Sequence, residues 1–347
     1  AEPRHDEGAR VTNCNSSGNG SLADAVAGAR SGSTITISAS CSSENPITPA
    51  DVIPITSSLT IKASRSERAV ISGGTTHSIF TVAPGAVVSL EGLTLRDAVG
   101  TASFALVGAG GAINNDGNLS LANDVFENNR GVGGAAVSST GSLTIEKCTF
   151  RHGTAFIGSS ILSSGGNVQL SDSEISDNTA LEGGLVLLSG SLTVRHSVVT
   201  RNTAQYDVSG IAVVGSPSGR LLVSDSIISN NNGGQVGGGI LTNDGVAATI
   251  ERSTISNNTA VDGAGIYNQF GTLIVRDSVF SGNKASGSGG AIFSLGDTAS
   301  VGVTSSRFSN NTGASLPTKY QGLYIAAGGL TVRGSDFGSS RDGGANR

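Results

Sequence analysis

The chain has no tryptophan and no methionine, 4 % aromatic and 14 % charged residues, and three cysteines in 347 positions. Each scarcity closes off a class of protein. Three cysteines are too few to staple a disulfide scaffold. A net charge of −5 without runs of Lys or Arg leaves no nucleic-acid footprint, so no nucleic-acid partner is expected. No segment approaches the ~18 consecutive apolar residues that span a bilayer, so no transmembrane segment is expected. A start at Ala1 rather than Met suits a mature secreted product. What the chain has in quantity is glycine, 51 residues, together with Val, Ile, Ser and Thr. That mixture is poor for a helical bundle and fits short strands separated by tight turns.

The strands repeat. Aligned on L-x-V pairs such as Leu273/Val275, the chain yields one apolar column: Ile37, Ile61, Leu90, Leu121, Ile145, Leu170, Val194, Val223, Ile250, Val275, Val303 and Val332. A repeat of this length with three β-like runs has no room for a helix and matches one turn of a three-faced parallel β-helix. Five residues on stands a large apolar residue, among them Leu95, Phe126, Phe150, Ile175, Phe280, Phe308 and Phe337. Two positions before it stands mostly Ser, from Ser173 to Ser335, with Asp124 and Cys148 as exceptions. Alternation along a strand points both columns inward, which makes Cys148 a buried member of the Ser stack rather than a nucleophile. Three residues past the apolar position comes Asn129, Asn178, Asn202, Asn231, Asn258, Asn283 and Asn311, with Gly153 as the gap. Asn suits a corner with left-handed backbone angles, and its amide can bond the Asn of the next coil. A third inward column, from Ile113 to Leu323, follows the phrase G-G-A-I.

The expected architecture is therefore all-β: a right-handed three-faced parallel β-helix of about 12 coils. Before it, Ser21 stands at an N-cap position, and Leu22, Val26 and Ala29 share one helical face, so an N-terminal segment over 1–33 with a capping helix precedes a β-helix domain over 34–347. No comparable lid is apparent in the closing "GSSRDGGANR": either a longer native protein was trimmed here, or this end packs on something, as in head-to-tail or side-by-side self-association into an oligomer or filament. Cys14 and Cys41 flank the N-terminal segment and could pair, which would indicate an oxidising compartment.

The paired phrases F-x-x-N (Phe126/Asn129, Phe280/Asn283, Phe308/Asn311) and G-G-A-I (Gly110 to Ile113, Gly289 to Ile292) resemble the repeats of the chlamydial polymorphic outer-membrane proteins and related bacterial β-helix surface proteins. Relaxed forms extend the likeness over roughly residues 86 to 325. The resemblance implies a pectate-lyase-like β-helix that is secreted or displayed on a cell surface, with adhesion to a protein or glycan surface as its role. It departs from the autotransporter relatives in carrying no C-terminal membrane barrel.

Chemistry is sparse. The calcium-binding nonapeptide and acidic clusters are absent, and no cofactor or metal is implied. One charged column, Lys147, Asp172, His196, Asp225, Arg252 and Asp277, alternates in sign along an edge. Asp172 and Asp225 on either side of His196 could make it a general base for a polysaccharide lyase or glycoside hydrolase. The blander alternative is an exposed ladder of ion pairs worth about 0–1 kcal/mol each. The outward position after the G-G-A-I isoleucine reads Asn114, Ser138, Leu162, Leu187, Ala212, Leu241, Tyr267, Phe293 and Tyr324. Apolar residues on a wet face mark contact, so Leu241, Tyr267, Phe293 and Tyr324 form the expected binding stripe unless a loop near Ser216 or Thr318 folds over it. An outward row of Thr36, Thr60, Thr144, Thr193, Thr249 and Thr331 raises an ice-binding alternative, weakened by Gln169, Leu222, Ile274 and Gly302 in the same row. The reading preferred on sequence is a structural or adhesive protein, with a polysaccharide-cleaving enzyme as the alternative.

Overall fold

The computed structural model describes residues 9–64, 68–100, 109–215, 217–313 and 322–337. The tail 338–347 and most of the segment around Thr318 lie outside them, as does Ser216. Every strand pairing among the described residues is parallel, and each coil contributes a strand to each of three long sheets in turn. The first sheet has thirteen strands, the second ten and the third eleven. Short strands of four and two members run between the second and third sheets. The wall is a right-handed solenoid of about twelve turns, because a right-twisted strand returns to its parallel neighbour in that sense.

The inward columns explain the fold. In the first sheet the register runs Ile61↔Leu90↔Leu121↔Ile145↔Leu170↔Val194↔Val223↔Ile250↔Val275↔Val303↔Val332. At the N-terminal end the expectation was off by two residues: Ile35, not Ile37, faces Ile61, and Thr34, not Thr36, faces Thr60. Ile35 and Ile37 are both buried on the same face, so alternation alone cannot choose between them. In the second sheet Phe126 stacks on Phe150 at 4.8 Å, and Phe280, Phe308 and Phe337 form a second stack. One-coil spacing brings like rings to their contact distance.

The Asn ladder closes the corner after the second sheet. Each side-chain amide from Asn178 to Asn283 donates to the Oδ1 of the next Asn, at 2.8–3.0 Å, and to a backbone carbonyl, as Asn202 does to Ile175. The left-handed residue is not the ladder Asn, as expected, but its predecessor: Asn128, Asp177, Arg201, Asn230, Asn257 and Asn310 all have positive φ. The predecessor makes the bend, which leaves the following amide aimed inward along the stack. Gly153 interrupts the ladder for a steric reason: a Cβ there would lie 2.4 Å from the Ser159 carbonyl oxygen.

At the N-terminal end, the side chain of Ser21 accepts a hydrogen bond from the Asp24 amide and starts the helix Leu22–Ala27. Leu22 and Val26 are buried in the main core against the first strands. The strand Arg10–Val11, before this helix, already pairs with Thr36 and Ile37, so the first sheet starts ahead of residue 34. Cys14 and Cys41 form a disulfide with Cα atoms 5.6 Å apart, and Cys148 is free and buried. Among the described residues no helix is long and apolar enough to cross a membrane.

Candidate functional site

The expected contact stripe is covered. Leu241 and Phe293 are 8 % and 9 % exposed, while Tyr267 and Tyr324 are half-buried. Register also corrects one member: Val186, not Leu187, stands between Leu162 and Ala212. The covering element is the corner that precedes the third sheet. There Gly263 (φ +60°) and Gly289 (φ +67°) take left-handed angles and bring the backbone so close that a Cβ would lie 2.9 Å from the Tyr267 Cβ and 2.8 Å from the Phe293 Cβ. Val208 and Val236 on the same corner pack with Leu162, Val186, Ala212 and Leu241 as a small second core. Tyr267 stacks on Phe293 at 5.0 Å within this layer. Leu241 and Phe293 are thus part of the interior, while Tyr267 and Tyr324 stay partly exposed.

The charged column occupies left-handed positions throughout, from Lys147 to Asp277. It does not assemble a His–carboxylate pair. Both oxygens of Asp225 are taken by Arg252, at 2.8 and 2.9 Å, and this guanidinium holds the Asp225 carboxyl below its usual range. Arg252 also bonds Glu251, which pairs in turn with Arg276. Lys147 turns to Glu146 at 2.7 Å rather than to Asp172. His196 and Asp172 are exposed, and among the described residues the His196 ring bonds neither Asp172 nor Asp225. A general base needs an orienting partner, and among the described residues the Asp225 carboxylate that His196 approaches is held by Arg252 instead.

A different feature forms a continuous open groove. It follows the short strands between the second and third sheets, one residue past the Asn ladder. Register connects Arg130↔Thr154↔Thr179↔Thr203↔Asn232↔Thr259↔Lys284↔Thr312. These side chains are exposed or, at Thr259, half-buried, and Thr259 donates to Asn232 at 2.7 Å. The floor is Ala155, Ala180, Ala204, Gly233, Ala260, Ala285 and Gly313, all buried. Two stretches of about 480 Å³ and about 530 Å³ share Asn232, Gly233 and Gly234, so the trough is uninterrupted from Thr154 to Thr312. Six coil steps at ~4.8 Å make it roughly 29 Å long. On its far side Leu181, Gln205 and Val261 line it, and next to the lining residues in sequence Phe156 and Tyr206 are exposed.

One residue past Leu181 and past Tyr206, Glu182 and Asp207 stand on neighbouring coils. Burial raises the Glu182 carboxyl above its usual range, and the charge of Asp207 adds to the effect. No group of three or more metal-ligating side chains is found among the described residues. The groove residues were not singled out on sequence, although the signal was present in the repeated N-T-A of Asn178–Ala180, Asn202–Ala204 and Asn258–Ala260.

A sequence-profile comparison agrees with this architecture. The sequence profile of a family described as "Right handed beta helix region" matches residues 103–219 and 206–346. No curated protein matches the chain. Among solved structures, the crystal structure of pectate lyase Pel9A is similar at 16 % identity, with a TM-score of 0.44, over 98 % of this chain and 82 % of that one.

Proposed function

The chain belongs to the right-handed β-helix family, and from that premise we propose that it is a secreted or surface-displayed protein that binds an extended glycan along the Thr154–Thr312 groove. The observation that carries the reading is periodicity. The groove offers one hydroxyl, amide or ammonium group per coil, every ~4.8 Å, close to the rise of one sugar in an extended polysaccharide. The small floor lets a chain lie close to the backbone, and the exposed rings of Tyr206 and Phe156 suit the apolar faces of sugar rings. The Cys14–Cys41 disulfide supports an oxidising, extracellular setting. The likeness of the F-x-x-N and G-G-A-I phrases to displayed bacterial proteins points the same way.

The test is binding to a panel of soluble polysaccharides by affinity electrophoresis and calorimetry. Tyr206→Ala and Thr203→Lys should each weaken binding at least tenfold with unchanged thermal stability. Thr144→Lys, on the first sheet, should leave it intact. Equal affinities for all three variants would refute the groove as the site.

A second reading, cleavage of the bound chain, draws on Glu182 and Asp207. A carboxyl raised by burial beside a second carboxyl is the kind of pair that glycosidic-bond hydrolysis uses. It predicts sugar release that disappears in Glu182→Gln and survives in His196→Ala.

A further inference from the structure

We infer that the groove selects an uncharged polysaccharide and rejects polyuronates of the same shape, an inference that rests on the groove being the glycan site. Along its row, cations stand only at Arg130 and Lys284. The five positions between them, Thr154, Thr179, Thr203, Asn232 and Thr259, are all neutral. On the ladder side, Asp177 balances Arg201 at 2.7 and 2.8 Å and lies close to His152. The far side is acidic. Glu182 follows the lining Leu181, Asp207 stands two residues past the lining Gln205, and Asp262 follows the lining Val261. Asp262 accepts the Ser288 amide at 2.7 Å, which fixes its carboxylate on that side.

The backbone offers an anion nothing in place of the missing cations. Amides of the groove row donate to the preceding coil, as Thr203 does to Asn178 and Thr259 to Asn231, both at 2.9 Å. Amides of the floor donate to the following coil, as Ala204 does to Asn232 at 2.9 Å and Gly233 to Thr259 at 2.8 Å. A polyuronate laid along the groove brings one carboxylate per sugar. Over the neutral stretch each carboxylate would give up water for a floor of Ala and Gly, with like charges beside it and no counter-charge to offset the loss. A carboxylate can only accept hydrogen bonds, whereas the hydroxyl of a neutral sugar both donates and accepts, as the Thr hydroxyls opposite it do. Discrimination thus comes from a cost placed on the wrong ligand, not from an extra contact to the right one.

Calorimetry on the full chain can compare soluble β-1,4-linked gluco- and manno-oligosaccharides, about eight residues long so as to span the coil steps of the groove, with the same chains oxidised at C6 to uronates. At least one neutral chain should bind at least tenfold more tightly than its uronate. Its affinity should change less than twofold between about 50 mM and about 500 mM NaCl, since no ion pair holds it. The double variant Glu182→Gln/Asp207→Asn, close to the native shape, should narrow the gap between the neutral chain and its uronate at least threefold. Gln205→Lys, at an exposed lining residue, should narrow it independently. A gap that both variants leave unchanged overturns the exclusion of charge as its cause. Equal affinity for a chain and its uronate, or preference for the uronate, with binding weakened by Tyr206→Ala, overturns this inference and leaves the groove standing as a glycan site. Binding of a neutral chain that ignores both Tyr206→Ala and Thr203→Lys, or no binding by any of these oligosaccharides, overturns the groove as the site and this inference with it.

Discussion

Asp124 offers the sharpest test of how this core is held together. In the row of residues that stack inward before the second sheet, each Ser from Ser173 to Ser278 donates its hydroxyl to the carbonyl two residues earlier and accepts an amide from the preceding coil, as Ser173 does from Cys148. Asp124 keeps half of that pattern: its Oδ1 accepts from the Leu93 amide at 2.7 Å, while its Oδ2 is buried with no partner. Burial pushes the carboxyl up to about 7. Its neighbour Cys148 is pushed up to about 12, first by burial and then by the charge of Asp124, and so stays a neutral thiol across the useful pH range. The folded-state value of Asp124 lies above the unfolded one, so its contribution to stability is fully present at low pH and is lost as pH rises through about 7. With 1.36 kcal/mol per pH unit between about 3.8 and about 7, the loss reaches roughly 4 kcal/mol at pH 8, against about 2 kcal/mol already lost at pH 5.

Asp124→Ser restores the pattern of the row and removes the carboxyl. Urea denaturation of the wild type and the variant at pH 5 and pH 8 isolates this group, because every other titration cancels in the difference. The variant's advantage should grow by about 2–3 kcal/mol between the two pH values. Asp124→Asn, which keeps the shape, should show the same growth even if the amide packs less well. An advantage that is the same at both pH values would refute the assignment of a raised carboxyl to this position.

Three further outcomes follow from the same geometry. Asn231→Ala removes the acceptor for the Asn202 amide and the donor to the Val199 carbonyl; it should cost about 2–4 kcal/mol in urea denaturation, because buried groups on two coils lose partners. Phe293→Ser should lower stability by about 3 kcal/mol, as expected for a ring removed from a packed layer, and should not change glycan affinity measured below the melting transition. Reduction of Cys14–Cys41, which closes a loop of 27 residues, should cost about 3–4 kcal/mol on the chain-entropy scale, and Cys148 should resist alkylation until the protein unfolds.

The inward rows were legible in the sequence and the outward ones were not, for a physical reason. An inward side chain in a solenoid meets its own equivalent one coil away, so the row must repeat: Phe126 and Phe150 stack, and Asn231 bonds Asn258. Whether an outward side chain stays wet depends instead on where the neighbouring corner runs. Phe293 alternates outward as expected, yet Gly289, four residues earlier, is the residue whose left-handed angle folds the corner across it. The G-G-A-I phrase thus encodes both the inward Ile292 and the cover over its neighbour.

The groove shows the converse. Thr179, Thr203 and Thr259 follow ladder residues whose amides are fully committed inward, so the next side chain must alternate out. Ala180, Ala204 and Ala260 then turn in and are buried, and their small side chains hollow the surface beside the Thr row. The trough is therefore a by-product of ladder geometry, available to any chain with this Asn register. What is particular to this one is the hydroxyl retained at Thr154, Thr179, Thr203, Thr259 and Thr312 where the fold asks only for an exposed strand residue. Replacing that row with Val should leave stability nearly unchanged, since each site is wet or half-wet, while removing every coil-spaced hydroxyl. Glycan binding that survives the replacement would mean the row serves the strand alone.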